Sequence, residues 1–519
     1  MPNFKPDNIR QRKFLDVDFL EVIGDDTFEY CLYALLERES MLSAFEATYK
    51  NDSGGRPAYE PKLLLRVILY AYSCGITSSR AMDSLCRTDL KFMALAGGET
   101  PHFSTIADFV SRKPQAIVDV FTRVLLICDN SGLIGKEHFS IDGCKLPSDA
   151  SKQWSGTHEQ MRHKMEKMRK LANQIIEKHR DTDSQKTVLP EKAQQKVDTL
   201  LRNAQKFEDF LAENEPRIGE GKSKKEVQSN VTDNESAKMK TNKGTIQGFN
   251  LVTAADSKHQ LILNIEGFGS GPEQHTLEPM IESIEYNLSI DLGDGKTVLT
   301  ADTGFFSEDN MKYVFEKGVK AIIPDGNFRQ RREGIGDSKT YQEHKQKHKK
   351  NRSDRAKSHD QIPKSEFKVD FITKTCICPA GKELMYHGEH KDEERGTYSR
   401  FRGKLGDCRD CKLSSQCMQN EVTNRGRQVQ FLNEETSKVK YADLMKQKID
   451  SEQGAEEYAK RMWVIEPVFG NITSNLGLDK LSLRGKDKVT GQGALFALVH
   501  NIGKLWRYGM SESMAVQAR

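Results

Sequence analysis

Apolar residues recur at helical spacing through the first quarter of the chain. The stretch PKLLLRVILYAYSCG (61–75) has a broad apolar face, with Pro61 suited to a first turn and Gly75 to a stop. TSSRAMDSLCR follows after a short turn with Ser78 or Ser79 as N-cap, and Ser104 is the candidate cap of the helical pattern in HFSTIADFVSRKPQAIVDVFTRVLLICD. Short helices joined by tight turns suit a helix-turn-helix DNA reader and a plain bundle equally. The period then shortens. EHFSIDGCKL (137–146) reads as a strand ending at Asp142. Two long polar helices follow over 158–213. One carries Met161, Met165, Met168, Leu171 and Ile175, and the other Val197, Leu201, Ala204, Phe207 and Leu211, as the seam of a helical hairpin. Residues 221–245 read as loop. Strands return at 246–256 and 259–269, joined by Ser257-Lys258 as a hairpin. HTLEPMIESIEYNL predicts a helix, KTVLTAD a strand, SEDNMKYVFEKG a helix capped by Ser307, and VKAIIPDG a strand. That order predicts a mixed α/β sheet with helices on its faces. The chain then leaves this core for some 130 residues. It returns as helix at EEYAKRMWVIEPVFGNITSN and closes with the apolar helix GALFALVHNIGKLW (493–506).

A chain of 519 residues allows two to four domains. No apolar run approaches the roughly 18 residues of a membrane span, and the N-terminus has no apolar signal core, so a cytoplasmic protein is expected. Cys31, Cys74, Cys86, Cys128 and Cys144 are scattered among apolar neighbours, as in a reducing compartment. Net charge is only +4, but residues 328–357 hold eleven Lys/Arg against four Asp/Glu, a stretch that favours polyanions.

Two carboxylates stand at corresponding places. Asp142 closes the first core strand and Asp302 closes TVLTAD, where Gly304 soon breaks the strand. In a ribonuclease-H-like sheet these strands lie side by side, so both acids meet at one edge. A third acid on a packed helix would complete a cage of hard oxygen ligands for two Mg²⁺ or Mn²⁺ ions. Such an ion pair activates an attacking hydroxyl and stabilises the leaving oxygen of a phosphodiester. Glu466 is the candidate third acid, because Val464, Ile465, Val468 and Phe469 surround it in sequence and a buried carboxylate needs a partner. A metal or Arg461 would satisfy it, and Pro467 suggests a helix start or a kink there. Asp256 and Asp325 are the alternatives to Asp302, each explicable as turn chemistry.

On the stretches HFSIDGCKLPSDASKQ, KMKTNKGTIQGFNLVTAADSKHQLIL, VLTADTGFFSEDN and RMWVIEPVFGNITSNLGLDKLSLRG, the chain resembles the DDE transposases of bacterial insertion sequences. GGRPAYEPKLLLRVILYAYSCGITSSRAMD looks like the N-terminal helical domain of one branch of them. The likeness runs from about residue 20 to about residue 508. It implies a ribonuclease-H-like core and a catalytic triad of Asp142, Asp302 and Glu466. It implies water attack at an element end to free a 3′-hydroxyl, and attack of that hydroxyl on target DNA. The implied partners are inverted-repeat ends, target DNA and a second protomer, since two ends are joined. Tyr458 and Arg461 match the family's Tyr and Arg upstream of the Glu, with one extra residue between Arg461 and Glu466. The family's downstream Lys is Thr473 here, a departure that admits an impaired copy. Arg461 and Arg484 are candidate DNA-phosphate contacts, and Tyr458 is grouped with them.

Between Asp302 and Glu466 the remaining cysteines cluster. The two-residue gap between Cys408 and Cys411 suits two thiolates on one Zn²⁺. Cys378 and Cys417 are the candidates for the other two ligands, with Cys376, His387 and His390 as substitutes. The expected organisation is an all-α DNA-binding domain (1–130), a first core part (131–325), a basic and cysteine-bearing β-rich insert (326–450) and a core completion (451–519). Two rival functions stand beside the transposase: a DNA-binding descendant without catalysis, and a same-fold nuclease that cuts without joining.

Overall fold

The computed structural model describes residues 16–49, 57–182, 189–219, 224–242, 244–331, 362, 364–371, 373–392, 396–418, 425–432 and 440–509. Two compact units emerge: Met1–Asp325 with Ser451–Arg519, and Gly326–Asp450.

The first unit is mixed α/β and opens with short helices. Pro61 starts the Pro61–Ser73 helix, and Gly75 ends it at φ +72°, a left-handed value that glycine accepts. Ser78 caps the next helix by accepting from Ala81 N. The Phe103–Arg112 helix differs from expectation: the His102 ring accepts from Ser104 N, so histidine caps it. Pro114 then begins a separate helix, Pro114–Asn130.

The sheet follows. Strand β1 (His138–Pro147) runs straight through Asp142 rather than ending there. A short ribbon pairs β2 (Ser155–Gly156) with β3 (Ser229–Asn230). Helices His158–Thr182 and Glu191–Glu213 form the hairpin read from the sequence, packed through Met161, Phe207 and Phe210. Leu171 and Leu201, expected in its seam, are largely exposed. Strand β4 (Ala237–Thr241) occupies part of the stretch read as loop, because it pairs with the start of β5 (Gly244–Asp256). Few apolar side chains are needed there, since the ladder supplies the order. Then come β6 (Ile262–Phe268), the Leu277–Leu288 helix, β7 (Val298–Ala301), the Glu308–Lys317 helix capped by Ser307, and β8 (Lys320–Ile322). The order is β4-β5-β1-β7-β8, with β6 also on β5. β1 is antiparallel to β5 and parallel to β7, and β7 is parallel to β8.

Two late helices cover this sheet. Lys486–Gly509 extends beyond the predicted 493–506 and is buried along most of its length against β6 and the Pro114–Asn130 helix. Glycine makes that approach possible: a Cβ on Gly267 would lie 2.7 Å from Val489 Cγ1. Glu452–Gly470 is capped by Ser451 and lies across β1, β5, β7 and β8. Pro467 sits inside it rather than at its start, three residues before Gly470, where the chain passes into a π-helical turn, Asn471–Asn475. Proline has no N–H for the Trp463 carbonyl four residues back, and Gln260 Nε2 donates to that oxygen instead at 2.9 Å.

The second unit holds β9 (Lys368–Asp370), β10 (Thr375–Ile377), β11 (Glu383–Asp392), β12 (Gly396–Arg402) and β13 (Gln428–Leu432) in one antiparallel sheet, in reverse sequence order. Phe367, Cys376, Leu384, Phe401 and Val429 form its core. The basic run lies outside the described residues from 332 onward. No described helix is long and apolar enough to cross a membrane.

The register of β1 on β5 depends on Gly248, whose added Cβ would fall 1.9 Å from the Leu146 carbonyl oxygen. Gly248→Ala is expected to destabilise the protein by about 1–3 kcal/mol, read as a lower urea midpoint at unchanged m-value.

Candidate active site

The last β1–β7 pair is Ile141 with Ala301, so Asp142 and Asp302 are the next positions on adjacent parallel strands. β7 stops there and turns through Thr303–Phe305, while β1 continues on β5 alone. The Asp302 side chain makes no capping bond to that turn. Asp142 is held on both sides: Gly143 N donates to Oδ1 at 2.8 Å and Arg461 Nη2 donates to Oδ2 at 2.6 Å.

A third carboxylate belongs to this place, and the sequence reading missed it. Glu273, in the loop after β6, is buried and accepts from Asn250 Nδ2 at 3.0 Å. Its two oxygens occupy room left by two glycines. A Cβ on Gly143 would lie 2.7 Å from Glu273 Oε1, and one on Gly304 would lie 1.9 Å from Oε2. Each glycine closely follows one of the aspartates, in DG and DTG. A glycine one or two residues after each aspartate is the available sequence signal, since the loop around Glu273 has no periodicity.

The electrostatics follow from burial. Asp142 is pushed up to about 6, chiefly by desolvation, with Asp302 and Glu273 adding to the rise and Arg461 and the Gly143 amide opposing it. Glu273 is also raised by burial, against its bond from Asn250 and the charge of Lys145. Three acids therefore face one buried arginine. Asn250 Oδ1, 2.7 Å from the place of a Gly143 Cβ, is buried without a hydrogen-bond partner. Hard oxygen donors, a glycine-lined cradle and an unpartnered acceptor fit a divalent cation such as Mg²⁺. Among the described residues, no three His, Cys, Asp or Glu side chains form a ready-made metal group.

The Glu452–Gly470 helix contributes Arg461, which is buried, and Glu457, whose Oε2 meets His138 Nδ1 at 3.3 Å. Glu466 lies elsewhere on it. Val464, Ile465 and Val468 face inward, whereas Glu466 is exposed beside the exposed Met462 and Trp463. Five residues from Arg461 corresponds to a rotation of about 140° around a helix. Burial among apolar sequence neighbours, expected for this acid, is thus not what the helix gives it. Tyr458 is partly buried, and Thr473 Oγ1 donates to Phe469 O. Arg484 is exposed and pairs with Asp149 at 2.8 Å. Asp256 is a structural acid: Oδ1 accepts from Gly135 N and Lys136 N, and Oδ2 from Lys258 N. Cys378, Cys408, Cys411 and Cys417 line one cavity of the second unit.

Two family models match the chain. A transposase DDE domain covers residues 377–506, and a second transposase domain, DUF772, covers residues 17–112. The two matches indicate an insertion-sequence DDE-type transposase. The DDE match includes Glu466 and the cysteine cluster and does not reach Asp142 or Asp302. No curated protein matches the chain. A piggyBac transposase synaptic complex with hairpin DNA is similar at TM-score 0.32 and 11% identity, over 96% of this chain and 80% of that one, a likeness too loose to carry an argument.

If Glu273 fills the space beside Gly304, the two positions are coupled. Gly304→Ala is expected to cost about 1–3 kcal/mol alone and clearly less in a Glu273→Ala background. Additive urea-denaturation free energies would count against that seat. A pH effect follows as well. Asp142 binds its proton more tightly folded than unfolded, so its contribution is fully present below 3.8 and is lost as pH rises to about 6. In chelator, wild type should lose thermal stability relative to Asp142→Asn across that interval.

Proposed function

We propose that this transposase cleaves DNA at the ends of an insertion sequence and joins the freed 3′-hydroxyl to target DNA, on a ribonuclease-H-like core. The observation that carries the reading is the meeting of Asp142 and Asp302 on adjacent strands, with Glu273 against both of their glycines. Asp142 and Asp302 would hold divalent metal, Mg²⁺ or Mn²⁺. Bound there, the metal supplies charge stabilisation to the attacking and leaving oxygens of the phosphodiester. Arg461 holds Asp142 Oδ2 and offsets its burial, and Asn250 orients Glu273. The exposed Arg484 offers a guanidinium to a DNA phosphate. The short N-terminal helices are the DNA-binding region, and a homodimer brings two ends together.

The third acid is Glu466 by family likeness and Glu273 by geometry. Glu466, on the exposed side of its helix, is on the face that DNA can reach.

A second reading has its own support. Arg461 already occupies an oxygen of Asp142, Glu466 points to solvent, and Thr473 stands where the family has Lys. These features suit a DNA-binding protein that has lost cleavage.

One assay separates the readings: full-length protein, labelled duplexes bearing the inverted repeats that flank its gene, supercoiled target and Mg²⁺. Cleavage and joined product are expected, with Asp142→Asn and Asp302→Asn each reduced by about 100-fold or more. Binding without cleavage by wild type supports the second reading, and cutting without joining identifies a nuclease. Between Glu273→Gln and Glu466→Gln, the deeper loss of cleavage at retained end binding marks the third acid.

A further inference from the structure

The second unit has few buried apolar residues for its sheet. Its described core is Phe367, Cys376, Leu384, Phe401 and Val429. Small cores of this kind are commonly completed by a cross-link or a metal.

Four of its five cysteines lie beyond those buried residues, Cys378 and Cys417 packed against them, and converge. Cys378 follows β10, Cys408 and Cys411 flank a helix end, and Cys417 ends the Ser414–Cys417 turn of helix. All four line one cavity of about 40 Å³. That volume admits an ion or a water or two, and is far below the several hundred Å³ of an organic-ligand site.

The backbone around them is arranged for sulfur. Lys382 N donates to Cys378 Sγ, Leu413 N to Cys411 Sγ and Arg427 N to Cys408 Sγ, each at 3.4 Å. Amide donors stabilise thiolate over thiol, the form a metal requires. Two glycines clear the space around Cys408. A Cβ at Gly403 would lie 2.7 Å from its Sγ, and one at Gly426 would lie 2.9 Å away. The fifth cysteine, Cys376, is fully buried among apolar side chains, the surroundings of an inert thiol.

We propose that Cys378, Cys408, Cys411 and Cys417 bind one structural Zn²⁺ that completes the second unit. Binding forms four Zn–S bonds of about 2.3 Å and releases the thiol protons to solvent, with no change in oxidation state. The sulfurs draw together on binding, since no group of three or more ligands is ready-made among the described residues. Four protein ligands leave no open position, so the ion is not catalytic. The inference does not depend on the carboxylate site.

The test uses full-length protein purified with reductant and no chelator. Elemental analysis should find one zinc per chain, retained in Asp142→Asn/Asp302→Asn and in Cys376→Ser. Zinc should be lost from Cys408→Ser/Cys411→Ser and from Cys378→Ser/Cys417→Ser. Cobalt added to the apoprotein should give the intense sulfur-to-metal absorption and visible bands of a tetrahedral tetrathiolate, bleached by one equivalent of zinc. This spectrum reads the ligand set in wild type, even if the double variants fold poorly. Wild type with no zinc and no cobalt spectrum, a spectrum with fewer thiolates, zinc unaffected by the cysteine pairs, or disulfides among the four under reducing conditions would each overturn it.

Discussion

The first unit depends on a buried ion pair between residues 319 apart. Arg461 Nη2 meets Asp142 Oδ2 at 2.6 Å, and both side chains are mostly withdrawn from water. A buried pair of this kind adds little net stability over an apolar pair, but breaking one partner is costly. It therefore acts by specifying arrangement. It holds the Glu452–Gly470 helix on β1 in one orientation. In that orientation Val464, Ile465 and Val468 face the sheet and Glu457 reaches His138. It also supplies the positive charge that lets Asp142 stay in a pocket already containing Asp302 and Glu273. Without Arg461, three acids would share a desolvated site with the charge of Lys145, felt by Glu273, against them.

The same balance explains what the site lacks and what it would take up. One guanidinium does not neutralise three carboxylates, and desolvation raises both Asp142 and Glu273. Protonation at low pH is one relief and a divalent cation is another. The glycines after each aspartate belong to this balance. Neither Gly143 nor Gly304 has a positive φ, so backbone conformation does not demand glycine at either place. Their value is the absence of a side chain where Glu273 comes close to the strand ends.

Much of the frame was legible in the sequence because it rests on local signals. Pro61 and Gly75 bound a helix, Ser78 and Ser307 cap theirs, and the strand from 246 to 256 is rich in apolar residues, with Phe249, Leu251, Val252, Ala254 and Ala255. The meeting of Asp142 and Asp302 was legible too, from two acids at comparable points of two apolar strands. The exact place of Asp142 was not: β1 outlasts β7, and a strand's end on one side is invisible when its other side goes on pairing. Strand β4 was missed for a related reason, because its order comes from a partner and not from its own residues. Glu273 sits in a loop without period, and only the three-dimensional fold brings it between two glycines more than 30 residues from it on one side and over 100 on the other.

Glu466 shows how a correct chemical premise meets the wrong geometry. A carboxylate among apolar neighbours is costly to bury, so the sequence VIEPVF suggests a satisfied, functional acid. In a helix, however, chain neighbours point about 100° apart, and apolar residues at 464, 465 and 468 define a face that excludes 466. The helix thereby separates two requirements that the sequence merges. Its inner face, through Arg461, pairs with Asp142 of the sheet. Its outer face carries Met462, Trp463 and Glu466 together into solvent. One helix thus holds both the arginine of the acid site and an exposed aromatic patch. Pro467 bears on this. Its missing N–H leaves the Trp463 carbonyl bound by Gln260, so a side-chain bond ties the exposed face to the β5–β6 turn.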